Sequence, residues 1–129
     1  MPNNSIDYFA NLEENVRVAI AEDLGSGDIT AQLIPEGQLA SAQVISRESA
    51  IVCGRPWFDE VFRQIDPEVK LAWQKAEGTT AAANEVLVEI EGNARSVLTA
   101  ERTALNFLQT LMATATAASR YASLLDGTD

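Results

Sequence analysis

Hydrophobic residues recur along the chain in two alternating periods. In the first stretch Phe9, Leu12, Val16, Ile20 and Leu24 are spaced by three and four positions, one stripe on a helix. The spacing predicts a helix from about Ile6 to Leu24, with Asn4 or Ser5 as its cap and Gly25 as its end. Gly25-Ser26-Gly27-Asp28-Ile29-Thr30 reads as a turn. The loose alternation of Leu39 to Glu48 predicts a strand, and Ile51 to Cys53 a short buried one that Gly54 and Pro56 terminate. Pro56 suits the first turn of a helix, with Phe58, Val61, Phe62 and Ile65 facing inward and Asp66-Pro67 stopping it. Val69, Leu71 and Trp73 alternate with Lys70, Ala72 and Gln74, a half-buried strand. Val86 to Ile90 is another, closed by Gly92-Asn93.

A long helix follows, from about Ala94 to Leu125. At roughly 100° per residue, Val97, Leu98, Ala104, Leu105, Leu108, Leu111, Met112 and Ala115 share one face. The other carries Arg95, Thr99, Arg102, Asn106, Gln109, Thr116 and Arg120. Helix, strands, helix, strands and long helix make an α+β domain with a small, mostly antiparallel sheet.

Charge sharpens this picture. The chain of 129 residues carries 9 basic and 19 acidic side chains, a net of −10. Such a balance argues against a nucleic-acid or anionic-membrane surface. From Ala94 to Tyr121, however, three arginines face the single acid Glu101. The first 28 residues set six acids against Arg17 alone. The long helix is thus a basic island in an acidic chain. Arginine suits carboxylates and phosphates because its planar fork meets two oxygens at once. Two readings stand: a solvated face whose arginines pair with nearby acids, or a strip that takes an anion.

Other chemistry is narrower. The chain has no histidine, so a His base, a His-containing triad and a His zinc site are absent from it. The lone Cys53 reads as a buried, inert thiol. Glu101 falls between Leu98 and Leu105 in the apolar stripe, and a buried carboxylate needs a partner; a structural ion pair is expected. Glu22-Asp23-Leu24-Gly25-Ser26-Gly27-Asp28 offers three carboxylates but not the spacing of a calcium loop. No apolar run approaches membrane-spanning length, and Met1-Pro2-Asn3-Asn4-Ser5 lacks a signal-like core. A cytoplasmic location is the expectation.

Two segments carry a resemblance. Glu22 to Thr30, and more specifically Gly92-Asn93-Ala94-Arg95-Ser96-Val97-Leu98-Thr99-Ala100-Glu101-Arg102-Thr103-Ala104-Leu105-Asn106-Phe107-Leu108-Gln109, resemble quinolinate phosphoribosyltransferase, the carboxylating nicotinate-nucleotide pyrophosphorylase. The resemblance implies that residues 1–129 are the N-terminal domain, similar to an α/β hammerhead, running at about 112–129 into the start of an open β/α barrel. It implies conversion of quinolinate and phosphoribosyl pyrophosphate to nicotinate mononucleotide, carbon dioxide and pyrophosphate. It also implies magnesium held by the barrel rather than by this chain, and a homodimer or higher oligomer in which each N-terminal domain covers the partner's barrel. By match to the Glu-Arg-Thr motif, Arg102 is the substrate-binding residue, meeting a quinolinate carboxylate in the partner's site; no catalytic residue is expected on this chain. Without the barrel the chain is expected to be inactive and to self-associate through its uncovered helix. One departure is local: Met112-Ala113 stands where the family usually has Ser-Gly. The alternatives are a non-catalytic binding or dimerisation module and part of a paralogous phosphoribosyltransferase.

Overall fold

The computed structural model describes the backbone of residues 4–25 and 29–126, and the side chains of 11–24 and 31–124. Its elements in chain order are α1 (Asn4–Gly25), the single turn α2 (Ile29–Gln32), β1 (Leu39–Ile45), β2 (Ala50–Ile51), α3 (Arg55–Ile65), β3 (Lys70–Trp73), β4 (Thr80–Ala81), β5 (Val86–Asn93) and α4 (Ala94–Asp126). This is the expected α+β arrangement, a small antiparallel sheet packed against helices and ending in a long one. The capping of α1 and most of the turn around Gly25 to Thr30 lie outside the described side chains.

β5 is the central strand, antiparallel to β1 on one side and β3 on the other. Val88 sits opposite both Val44 and Trp73, and Ile90 opposite Ala42 and Leu71. These residues turn toward the helices, while Ser41, Gln43, Ala72, Glu89 and Glu91 face outward. The alternation predicted for β1 and β3 holds because one face is buried and one is wet. β5 runs to Asn93, longer than its hydrophobic stretch, since β1 pairs with it as far as Leu39.

The short strand expected at Ile51 to Cys53 is shifted to Ala50–Ile51, paired with the two-residue β4. Val52 continues the pairing by single bonds to Thr79 and Gly78. The ladder stops there because Gly54 turns with φ 109°, a conformation suited to glycine. A Cβ at Gly54 would lie 3.0 Å from Cδ1 of Leu111. Cys53 is half-buried rather than buried, and burial pushes its thiol up from its ordinary pKa, with Glu77 adding to the rise.

Phe58, Val61 and Phe62 of α3 are buried, as their spacing predicts, and Ile65 is half-buried; Trp57, which that spacing did not include, is buried as well. Phe58 packs at 5.3 Å from Phe62 and edge-on at 5.2 Å from Trp73. Each such ring contributes roughly 1.5–3 kcal/mol through burial. Leu12 and Val16 of α1 close one side of this core. From α4 come Val97, Ala100, Ala104, Leu108 and Met112.

Polar contacts fix the ends of α3. Both carboxylate oxygens of Glu77 accept from its first turn, from Gly54 N at 2.8 Å and Arg55 N at 3.1 Å. The guanidinium of Arg55 lies 4.8 Å from the Trp73 ring centre and donates to the Lys75 carbonyl. Trp73 Nε1 donates to Asp59 Oδ1 at 2.7 Å. At the other end Asp66 accepts from Glu68 N and from Ser96 Oγ, joining the end of α3 to the start of α4.

Glu77 does for α3 what a capping side chain does elsewhere. Glu77→Ala should therefore cost about 1 kcal/mol of stability, read as a lowered denaturant midpoint with unchanged slope. Asp59 tests the opposite sign. Burial raises its pKa above the usual carboxylate range, against the pull of the Trp73 hydrogen bond and of Arg55, while Glu77 raises it further. In the window between unfolded and folded values the native state holds more protons, so stability falls as pH rises through it. Asp59→Asn keeps an acceptor for Trp73 and should raise the melting temperature at neutral pH. The gain should vanish as pH falls through the Asp59 titration range.

Candidate functional site

α4 begins with Asn93 Oδ1 accepting from Ser96 N at 3.2 Å, a side-chain cap at the sheet end of the helix. The centre of its buried face is Val97, Ala100, Ala104 and Leu108, with Thr103 also buried. Leu98, Glu101 and Leu105 lie on a flank and are half-buried. Glu101 therefore needs no ion pair, and it makes none among the described residues. The expected buried partner of Glu101 is not there, because small alanines rather than the leucines around it form the line of closest packing.

The polar face separates into parts. Arg95 is engaged: its Nε donates to the Ile34 carbonyl at 2.5 Å and its Nη1 lies 3.5 Å from Glu36. Thr116 is half-buried and accepts from Ile51 N at 2.9 Å. Arg102, Asn106, Gln109 and Arg120 are exposed. Arg102 and Arg120 share a stripe, but eighteen residues separate them, about 27 Å along the axis. The three arginines form a row, not a cluster.

Arg102 is in no ion pair among the described residues, and the sequence supplies the reason. Helical ion pairs form between positions three or four apart. Arg17 has Glu14 at that distance and Arg63 has Glu60, and both pairs form, each at 2.5 Å. Around Arg102 those positions are Leu98, Thr99, Leu105 and Asn106. The nearest acid, Glu101, points to a different side of the helix. In a chain of net charge −10, this arginine is left with its fork available to an anion.

Two hollows flank α4. A groove of about 430 Å³ between the β1–β2 loop and α4 is lined by Arg47, Leu105, Leu108, Met112, Thr116 and Arg120 among others. Met112 is 8% exposed and belongs to its floor; the larger side chain noted at this position is buried in its own domain, with Ala113 exposed beside it. Arg47 falls within the strand predicted over Leu39 to Glu48, but β1 ends at Ile45 and Arg47 lies in the loop that follows. On the other side a hollow of about 480 Å³ lies between α1, α3 and α4, lined by Glu22, Asp23, Trp57, Thr103 and Phe107 among others. Here Thr103 Oγ1 donates to Asp23 Oδ2. The acidic turn that suggested a metal loop thus has one carboxylate turned toward α4, while Gly25 to Asp28 lie outside the described side chains. Among the described residues no three His, Cys, Asp or Glu side chains are grouped to hold a metal ion, and no helix is long and apolar enough to cross a membrane.

Because Arg102 touches nothing that the fold requires, Arg102→Ala should change unfolding free energy by less than about 0.5 kcal/mol. Thermal unfolding of the purified variant checks this.

The comparisons fit this geometry. A family model described as quinolinate phosphoribosyl transferase, N-terminal domain, matches residues 28–112. The chloroplastic carboxylating nicotinate-nucleotide pyrophosphorylase of Arabidopsis thaliana is 32% identical over 108 residues, covering 82% of this chain and 31% of that protein. The solved nicotinate-nucleotide pyrophosphorylase from Francisella tularensis is similar with a TM-score of 0.75 and 40% identity, over 78% of this chain and 36% of that one. NadC from Streptococcus pyogenes gives a TM-score of 0.82 at 30% identity, over 88% of this chain and 41% of that one. The chain thus spans about a third of the length of the curated relatives it matches.

Proposed function

The chain belongs to the quinolinate phosphoribosyltransferase N-terminal domain family, and from that membership we propose that it is the substrate-covering and dimerisation domain of a cytoplasmic enzyme of NAD biosynthesis. The reaction joins quinolinate to phosphoribosyl pyrophosphate and yields nicotinate mononucleotide, carbon dioxide and pyrophosphate. Arg102 binds a quinolinate carboxylate in the active site of a second subunit. The phosphate and magnesium contacts belong to a barrel domain, and the 129 residues alone are inactive. The partners are the two substrates and a second copy of the protein, with no nucleic acid and no membrane.

One observation carries this reading: Arg102 is an exposed guanidinium on a helix, in no ion pair among the described residues, inside the segment that matches the family. Quinolinate carries two carboxylates, and a planar fork meets such a group at two points. Placement on a helix rather than a loop limits how far the cation wanders, which favours a defined binding geometry. Lysine, a point charge on a flexible stem, reproduces the charge but not the fork.

The test uses the full-length enzyme, in which the chain is continuous with a barrel. Arg102→Ala should weaken quinolinate use by roughly 2–5 kcal/mol, with phosphoribosyl pyrophosphate binding little changed and Arg102→Lys only partly restoring it. Mixing Arg102→Ala with a barrel-inactivated variant should restore activity, since a mixed dimer holds one intact site. Mixed dimers that form and stay inactive would show that Arg102 does not act across the interface.

A further inference from the structure

The two segments that carry the resemblance are far apart in sequence, yet one hydrogen bond joins them. Thr103 Oγ1 donates to Asp23 Oδ2 across eighty positions. Thr103 is 2% exposed, and it directly follows Arg102. A threonine inside a helix can satisfy its hydroxyl on the carbonyl four residues back. Thr114 does so, donating to the Thr110 carbonyl at 2.9 Å. Thr103 instead reaches across to α1.

That choice has a geometric consequence. The other buried residues near this point are Ala100 and Ala104, whose contacts are non-directional and resist rotation weakly. A hydroxyl bonded to a carboxylate is directional. Together with the Ser96–Asp66 and Ile51–Thr116 bonds, it limits how far α4 can slide or rotate, and it ties α4 to α1 by a side-chain bond. Arg102 lies one residue away, about 100° around the helix. A guanidinium roughly 6 Å off the axis moves about 1 Å for each 10° of rotation, a displacement that matters for recognising a carboxylate at two points.

We infer that Asp23, through Thr103, is a positioning residue that aims Arg102 at the substrate carboxylate. The inference rests on the reading that Arg102 binds quinolinate. Asp23 touches no reacting atom; it acts by holding α4. A mere staple between helices would also use this bond, but its loss would lower the amount of folded protein without selecting one substrate.

The experiment measures steady-state kinetics of the full-length enzyme with each substrate varied in turn. Thr103→Val removes only the hydroxyl at nearly constant volume. It should raise KM for quinolinate about ten-fold, with kcat and KM for phosphoribosyl pyrophosphate within about two-fold. Thr103→Ser should restore the wild-type value. Asp23→Asn, which keeps an acceptor oxygen, should stay near wild type, whereas Asp23→Ala should behave like Thr103→Val. If Thr103→Val does not fold, the Asp23 pair decides, since Asp23 is half-exposed. An unchanged quinolinate KM in Thr103→Val, with a raised one in Arg102→Ala, overturns the positioning role and leaves the Arg102 reading intact. A parallel decline of activity toward both substrates, matching a loss of folded protein, overturns it as well. If Arg102→Ala itself leaves quinolinate KM unchanged, the reading of Arg102 fails and this inference falls with it.

Discussion

A side chain at position 54 would crowd α4, and the close approach of α3 to α4 depends on its absence. The missing Cβ lets the turn before α3 come within contact distance of Leu108 and Leu111. Once that approach is made, α3 and α4 share one apolar seam running from Phe58 and Val61 to Ala104 and Leu108. The sheet closes the seam from below through Val88 and Ile90, and α1 closes it from the side through Leu12 and Val16. The polar contacts of Glu77 then stabilise a helix start that the tight turn brought about. Similar crowding recurs at Gly92, where a Cβ would lie 2.9 Å from Val69. At Gly54 glycine serves both the turn and the packing; at Gly92, inside β5, it serves the packing alone.

The electrostatics follow from local spacing more than from total charge. An acidic chain would be expected to neutralise its few arginines, and it does so at Arg17 and Arg63, each with an acid one helical turn away; Arg55, with Asp59 one turn on, instead lies over Trp73 and donates to the Lys75 carbonyl. Arg95 finds its partner in the segment before β1 instead. Arg102 escapes because its neighbours one turn up and down are apolar or neutral. An arginine unpaired among the described residues can thus persist in a strongly acidic domain through the absence of acids at four positions.

Much of this was legible in the residues. The stripes of α3 and α4, Leu12 and Val16 of the α1 stripe, and the alternation of β1 and β3 report burial directly, whereas Leu24 at the end of the α1 stripe is exposed. The Gly92 to Gln109 segment pointed to the family, whose N-terminal domain matches residues 28–112. Three things were not legible. β4 is two residues long, too short for any periodicity to register. The partners of Arg95 and Thr103 lie some sixty and eighty positions away, and single long-range bonds leave no local pattern. Glu101 looked buried because its neighbours in the stripe are leucines, whereas the line of closest packing follows Ala100 and Ala104, whose small size lets the helices approach. Hydrophobicity alone does not say which side of a stripe lies deepest.

The last tie between α4 and the body of the domain is Thr116, which receives the amide of Ile51. Beyond it residues 117–124 are exposed on every side, Tyr121 and Leu124 included. The helix therefore leaves the domain as a cantilever, and a beam clamped at one end transmits direction as well as position. Its heading is set where it is clamped, by the Asn93 cap, the Asp66 bond to Ser96 and the Thr116 contact. Over the stretch from Ala117 to the helix end at Asp126, about 15 Å, a tilt of about 5° at Thr116 displaces the end by about 1 Å. Repacking around Thr116 and Ile51 is therefore what would re-aim Tyr121 and Leu124.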